Sequence, residues 1–271
     1  MKIFKVIPKL EKPRHLALWH KAQESQWSAR AIDWDAPQGI SSPQLKDKLA
    51  KVLTPVLMSE QSAFHSASAL MPLLAKNHEV ESQYYLASWL VDEARHAELF
   101  ARMFQRLDRE PLSTRRFPGA YLFQSRIISD DPAIWLAGLL VVEVLAKKVM
   151  QEFNRIDLDP ALSQISEGIL GDETRHLGFN RVYIEDRIAE LHAGGAAPAK
   201  AFAERLTERM EQVIDYAPSL FESLKPELAA IGFQVDTVLD TLPEESRSRL
   251  RKSIGAGERI AAERAEGAAL G

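Results

Sequence analysis

Asp92-Glu93-Ala94-Arg95-His96 returns eighty positions later as Asp172-Glu173-Thr174-Arg175-His176. In Glu-x-x-His the two side chains lie three residues apart, so on a helix they share one face and can reach the same ion. With 24 Glu and 7 His in 271 residues, chance alone supplies about 0.6 such pairs, and two bare pairs would mean little. Two copies of the five-residue pattern are far harder to obtain by accident. The repeat implies two helix pairs related by an approximate two-fold axis.

A dinuclear carboxylate site in a four-helix bundle needs one more Glu from each of the other two helices. Glu60 precedes Glu93 by 33 residues and Glu143 precedes Glu173 by 30, separations that suit antiparallel hairpins of about four turns out and four back. Glu143 interrupts the apolar run Ile134–Ala146, in a helix that reads as hydrophobic on every face. A carboxylate there is costly unless it is paired, protonated or bound to metal. Glu60 stands among Ser59, Gln61 and Ser62 and is selected by register. The competing reading is a solvated Glu/His/Arg array, with Glu143 paired to Lys147 one turn on. The symmetry of all six positions favours a metal site formed by Glu60, Glu93, His96, Glu143, Glu173 and His176. Beside it, Asp172 is expected to reach His96 and Asp92 to reach His176 as acceptors for the outer ring N–H groups, with Arg95 and Arg175 offsetting the negative charge.

Ser42-Pro43, Asp131-Pro132 and Asp159-Pro160 each place a capping residue before a proline at the first helical position. Helices are expected at about 43–75, 78–107, 131–154, 160–192 and 198–223, with a shorter one over 244–264 and a kink in the first near Pro55 or Pro72. No segment alternates as a strand does. The chain is read as one all-α domain over 1–271, a metal-binding bundle at about 43–192 followed by extra helices at about 198–264. The connection 108–130 crosses the bundle, the segment 192–198 is a flexible joint, and the tail after Gly255 is expected to fray.

There is no Cys, so disulfides, thiolate metal sites and thiol nucleophiles are ruled out and any metal must be held by carboxylate and imidazole. A net charge of −4 gives no general attraction for nucleic acid. Residues 1–16 lack a secretory apolar core and no apolar run approaches membrane-spanning length, which leads to the expectation of a cytoplasmic protein with no membrane span.

Paired Asp-Glu-x-Arg-His motifs, each preceded by a Glu about thirty residues earlier, resemble the dinuclear non-haem iron proteins of the ferritin-like superfamily. The nearest branches are the ribonucleotide reductase small subunit, its ligand-binding oxidase relatives and the bacterial multicomponent monooxygenases. The resemblance covers about residues 15–190. It implies a ferritin-like four-helix bundle with additional flanking helices, holding two iron ions or one manganese and one iron. It further implies O2 activation as an oxidase or monooxygenase on a small, apolar organic substrate, and leaves room for an electron-donor protein and a homodimer. The alternatives are a reductase-like radical protein and a ferritin-like iron store. Trp27, in LWHKAQESQWSARAIDWD, matches the tryptophan of the reductase electron path, or else is an ordinary core aromatic. Phe100 stands where most reductase subunits carry the radical-forming Tyr, and the C-terminal segment has no aromatic to relay a radical, which argues against a reductase role. Ile169 and Leu170 occupy the place where arylamine N-oxygenases carry an extra His, which counts against that branch. Phe64, Trp89, Phe100, Leu139 and Ile169 lie one turn from the ligands and are the expected substrate pocket. His15, His20, His65, His78 and His192 have no motif context and are read as surface or loop residues.

Overall fold

A computed structural model describes residues 9–270. Among them there are ten α-helices and no strand: α1 (Pro13–Glu24), α2 (Pro43–Lys76), α3 (Val80–Leu107), α4 (Pro118–Ser125), α5 (Pro132–Ile156), α6 (Pro160–His192), α7 (Ala196–Tyr216), α8 (Ser219–Glu222), α9 (Lys225–Ala230) and α10 (Val235–Leu270). The capped prolines start α2, α5 and α6: Ser42, Asp131 and Asp159 each accept a backbone N–H of the first turn. Asp159 also accepts from Arg106 Nε (2.9 Å) and Gly39 N (3.1 Å), which ties the start of α6 to the end of α3. Asp108 and Asp157 end α3 and α5 in the left-handed conformation, at φ 55° and 49°.

Short links make α2–α3 and α5–α6 two hairpins, and the pairs pack together as a four-helix bundle. α5 is its most hydrophobic member, with every residue from Pro132 to Leu145 buried. α1 lies across α3 and α6, α7 packs on α5 and α6, and α10 runs along α6 and α5. No described helix is long and apolar enough to cross a membrane. The first eight positions of the N-terminal stretch read for a secretory signal lie outside the described residues.

Several sequence expectations change. The helix expected over 198–223 ends at Tyr216, since Pro218 has no N–H with which to continue it, and the chain proceeds as the short α8 and α9. The last helix covers Val235–Leu270 rather than 244–264, and the expected fraying after Gly255 gives way to regular helix. Gly257 explains part of this: a Cβ there would fall 2.6 Å from Glu185 O and 2.7 Å from Ile188 Cβ, so the glycine lets α10 approach α6 closely. The 108–130 connection contains α4, which helps to form a cavity.

Candidate metal centre

The hairpin registers bring all six first-choice residues together at the centre of the bundle. Glu60 comes from α2, Glu93 and His96 from α3, Glu143 from α5, and Glu173 and His176 from α6. All six are buried, both imidazoles completely. Each ring turns Nδ1 inward. His96 Nδ1 lies 3.2 Å from Glu60 Oε2, 3.5 Å from Glu93 Oε2 and 4.0 Å from Glu173 Oε1. His176 Nδ1 lies 3.3 Å from Glu143 Oε2 and 3.5 Å from both Glu93 Oε1 and Glu173 Oε2. Glu93 and Glu173 therefore face both imidazoles, while Glu60 stands with His96 and Glu143 with His176. Two groups of ligand atoms, Glu60/Glu93/His96 and Glu93/Glu143/His176, each fall within 4.8 Å of one another. Glu93 Oε2 and Glu173 Oε2 are buried without a hydrogen-bond partner. Native proteins rarely leave such atoms unsatisfied, and two orphaned carboxylate oxygens in a cluster of carboxylate and imidazole groups fit cations.

The outer ring nitrogens engage the aspartates crosswise. His96 Nε2 is 3.0 Å from Asp172 Oδ2 and His176 Nε2 is 3.3 Å from Asp92 Oδ2. Arg95 bonds Asp172 at 2.8 Å and also Asp92; Arg175 bonds Asp92 at 3.0 Å and also Asp172. Trp27 Nε1 donates to Asp172 Oδ2 at 2.9 Å, and the Arg95 guanidinium lies 4.7 Å from the centroid of the Trp27 ring. Gly168 makes this possible, because a Cβ there would sit 2.5 Å from the indole. Gln26, which the sequence reading missed, donates to Asp92 and accepts from Arg95, both at 2.9 Å. Its only sequence signal is its place next to Trp27.

Electrostatics follow from this packing. Burial opposes ionisation of Asp92, but the hydrogen bond and charge of His176 hold its carboxyl down to about 2. Asp172 is lowered further, against its own burial, by His96 and the two arginines. Burial favours a neutral His176, yet Asp92 and Glu173 hold that imidazole up at about 9. Burial, together with the charges of Glu93 and Glu60, pushes Glu143 up to about 8, and burial with the neighbouring Glu143 raises Glu173. Burial raises Glu60 as well, whereas His96 and His176 lower Glu93 against its own burial; the three raised carboxyls favour their protons until cations replace them.

A cavity of about 770 Å³ opens beside Glu60. Its walls are mostly apolar and come from α2 (Val52, Val56), α4 (Phe123), α5 (Val142, Val149) and the α8–α9 region (Phe221, Leu224, Leu228), with Arg115, Thr114 and Gln124 among its polar groups. This corrects the expected pocket, since none of Phe64, Trp89, Phe100, Leu139 and Ile169 lines it. Phe64 is turned outward and 37% exposed, while the other four are buried in the bundle core. Trp89 instead stacks on His176 at 4.3 Å and donates from Nε1 to Glu93 Oε1 at 2.6 Å. The lining segments from α4, α8 and α9 are distant in sequence, so one-turn spacing from the ligands did not reveal them. Lys147 lines a different cleft, between α5, α6 and α10. His15 is also corrected. It is fully buried, 2.8 Å from Ser82 Oγ and 3.1 Å from Asp186 Oδ2, and it anchors α1 to α3 and α6.

A family profile described as p-aminobenzoate N-oxygenase AurF matches residues 67–219, more than half of the chain. The chain belongs to the AurF family. It is an O2-activating dimetal-carboxylate oxidoreductase with a ferritin-like fold. Family membership corrects the weight placed on Ile169 and Leu170, although Ile169 is fully buried and brings no additional imidazole. An R2-like ligand-binding oxidase from Sulfolobus acidocaldarius shares the fold with a TM-score of 0.67 at 18% identity, covering 94% of this chain and 96% of that one. A mutant R2-like ligand-binding oxidase with aerobically reconstituted Mn/Fe cofactor is similar with a TM-score of 0.62 at 18% identity, covering 89% and 92%. Curated proteins gave no match.

Proposed function

We propose that Glu60, Glu93, His96, Glu143, Glu173 and His176 hold two iron ions, or one manganese and one iron, and that the centre oxidises an apolar small organic molecule admitted beside Glu60. The observation that carries this reading is the pair of Nδ1-inward imidazoles, sharing two facing carboxylates whose Oε2 atoms are otherwise unpartnered. Four carboxylates balance two divalent cations, so the filled site is neutral and suited to burial, and an all-oxygen and imidazole ligand set suits iron or manganese. Support for a Mn/Fe pair comes from the cofactor of the structurally similar oxidase.

When bound, the metals supply reductive activation of O2. The chain's own residues do the rest. Asp172 and Asp92 hold the outer ring N–H of His96 and His176, fixing Nδ1 as the inward ligand atom. Arg95 and Arg175 keep both aspartates ionised and in place. The apolar walls at Val142, Val149 and Phe221 exclude water from the Glu60 side and recognise substrate by burial. The hydrogen bond from Trp27 to Asp172 and then to His96 provides a path for an electron to enter from the surface. Elemental analysis of the purified protein should give about two metal ions per chain, and anaerobically loaded iron should consume O2 on mixing; protein that takes up no metal refutes the assignment. The family's name favours a second reading, oxygenation of an aromatic amine. A substrate panel containing aromatic amines and nitrogen-free apolar molecules separates the two by product mass.

A further inference from the structure

On α3, Tyr85, Trp89 and Glu93 are four residues apart and form one stripe; on α6, His176, Phe179 and Tyr183 form the facing stripe. Their rings interleave into one chain. Trp89 is stacked on the His176 ring with centroids 4.3 Å apart and planes 16° from parallel. Tyr85 stands edge-on to Trp89 at 6.3 Å and is stacked on Phe179 at 4.3 Å and 5°. Phe179 is 6.2 Å from Trp89 and 5.8 Å from Tyr183. All four aromatic rings are buried. At the far end the Tyr183 hydroxyl donates to Glu79 Oε1 at 2.7 Å. Glu79 Oε2 pairs at 3.1 Å with Lys12 Nζ, whose side chain is 22% exposed.

Packing alone requires neither a hydroxyl at Tyr183 nor an indole N–H at Trp89. The polar atoms are instead placed at the two ends that matter to an electron, Trp89 Nε1 on Glu93 and Tyr183 Oη on a carboxylate near the surface. Lys12 Nζ, 5.6 Å from the centroid of the Tyr183 ring, disfavours a ring cation, so Tyr183 can be oxidised only as its proton leaves, and Glu79 is there to take it. On the other side of the centre Phe100 has no hydroxyl to oxidise.

The geometry points to a relay in which an electron passes from Tyr183 to Trp89 and on to the metal centre, with the packed rings of Phe179 and Tyr85 bridging the two without being oxidised themselves, discharging oxidising equivalents left when O2 has reacted without substrate. This rests on the dimetal reading above. Tyr183 loses one electron and its phenolic proton; the electron reduces the oxidised centre by one equivalent and the proton passes to Glu79 Oε1. A one-electron donor of the ascorbate or thiol class then returns an electron at the Lys12–Glu79 rim, and Glu79 returns the proton to the Tyr183 oxygen, the donor's own proton going to solvent.

The test uses the full chain loaded anaerobically with Fe(II), mixed with O2 without substrate, and freeze-quenched for electron paramagnetic resonance, with iron content and O2 uptake measured on the same samples. The relay predicts an organic radical whose hyperfine pattern collapses on incorporation of ring-deuterated tyrosine. Tyr183→Phe should abolish that signal or convert it to a tryptophanyl one, and peptide mass spectrometry should then find oxidised Trp89 accumulating. Glu79→Gln should lower the radical yield, and Tyr84→Phe, outside the chain of rings, should leave it unchanged. Far-ultraviolet circular dichroism confirms that each variant is folded, and the deuterium experiment needs no variant at all. Iron-loaded, O2-consuming protein with no aromatic radical, or with the same radical in Tyr183→Phe, overturns the relay and leaves the metal assignment standing. Protein that binds no iron overturns both.

Discussion

Glu143→Gln separates the stability of the metal-free protein from its ability to bind metal. The native carboxyl is held at about 8 by burial and by neighbouring carboxylates, against 4.5 in an ordinary setting. Raising the folded value of an acid destabilises the fold at every pH above the unfolded value, because the unfolded chain releases the proton more readily. The cost is absent below about pH 4.5, grows as pH rises, and levels off above about 8. With about 1.4 kcal/mol per pH unit, Glu143 costs the metal-free protein about 3 kcal/mol at pH 7. Glutamine keeps the shape and an acceptor oxygen for His176 Nδ1, which lies 3.3 Å from Glu143 Oε2, but has no proton to lose. Allowing for relaxation of the site, urea unfolding of metal-free Glu143→Gln should show a gain of about 1–3 kcal/mol at pH 7, shrinking toward zero at pH 5. The same variant should lose the stabilisation that iron or manganese gives the native chain. A metal-free variant less stable than the native protein at pH 7, or a gain identical at pH 5 and pH 8, would refute the account of Glu143 as a carboxylate held at a cost for its ligand role.

Other consequences can be checked independently. Gly168→Ala puts a methyl group 2.5 Å from the Trp27 indole and should cost about 1–3 kcal/mol by overpacking, with a shift in tryptophan fluorescence as the ring leaves Asp172; an unshifted spectrum would show that the ring has not moved. Ala146→Trp fills the cavity beside Glu60 and should lower kcat/KM for substrate at least tenfold on the order of lost pocket contacts while metal content stays the same. Asp186, buried, is held below the usual carboxylate range by His15 and Arg14. A depressed folded value contributes stability above the unfolded value near 3.8 that disappears as pH falls through the folded one. Asp186→Asn should therefore be destabilised near neutral pH and converge on the native protein in acid-unfolding curves; a constant difference would contradict this.

Much of the architecture was legible because a few residues carry strong local physics. Ser42-Pro43, Asp131-Pro132 and Asp159-Pro160 start helices wherever they occur ahead of a long run without breakers. The duplicated Asp-Glu-x-Arg-His fixes which faces of two helices must meet, and Glu143 in an apolar helix announces itself by its desolvation cost. Less was legible where context decides. Pro243 and three late glycines suggest a short, fraying segment, yet α10 is regular because Gly257 lets it lie against Glu185 and Ile188. His15 has no motif around it, and only the approach of α6 supplies Asp186 as its partner.

The sequence by itself determined the helical class, the hairpin registers and which six carboxylate and imidazole side chains meet at the centre of the bundle, because helical periodicity acts within short stretches of chain. Only the tertiary structure decided which imidazole faces which carboxylate, that the cavity lies against α4, α8 and α9, and that Trp89 packs on His176 instead of lining that cavity. Those are distances between segments far apart in the chain, set by how whole helices pack, and no local pattern encodes them.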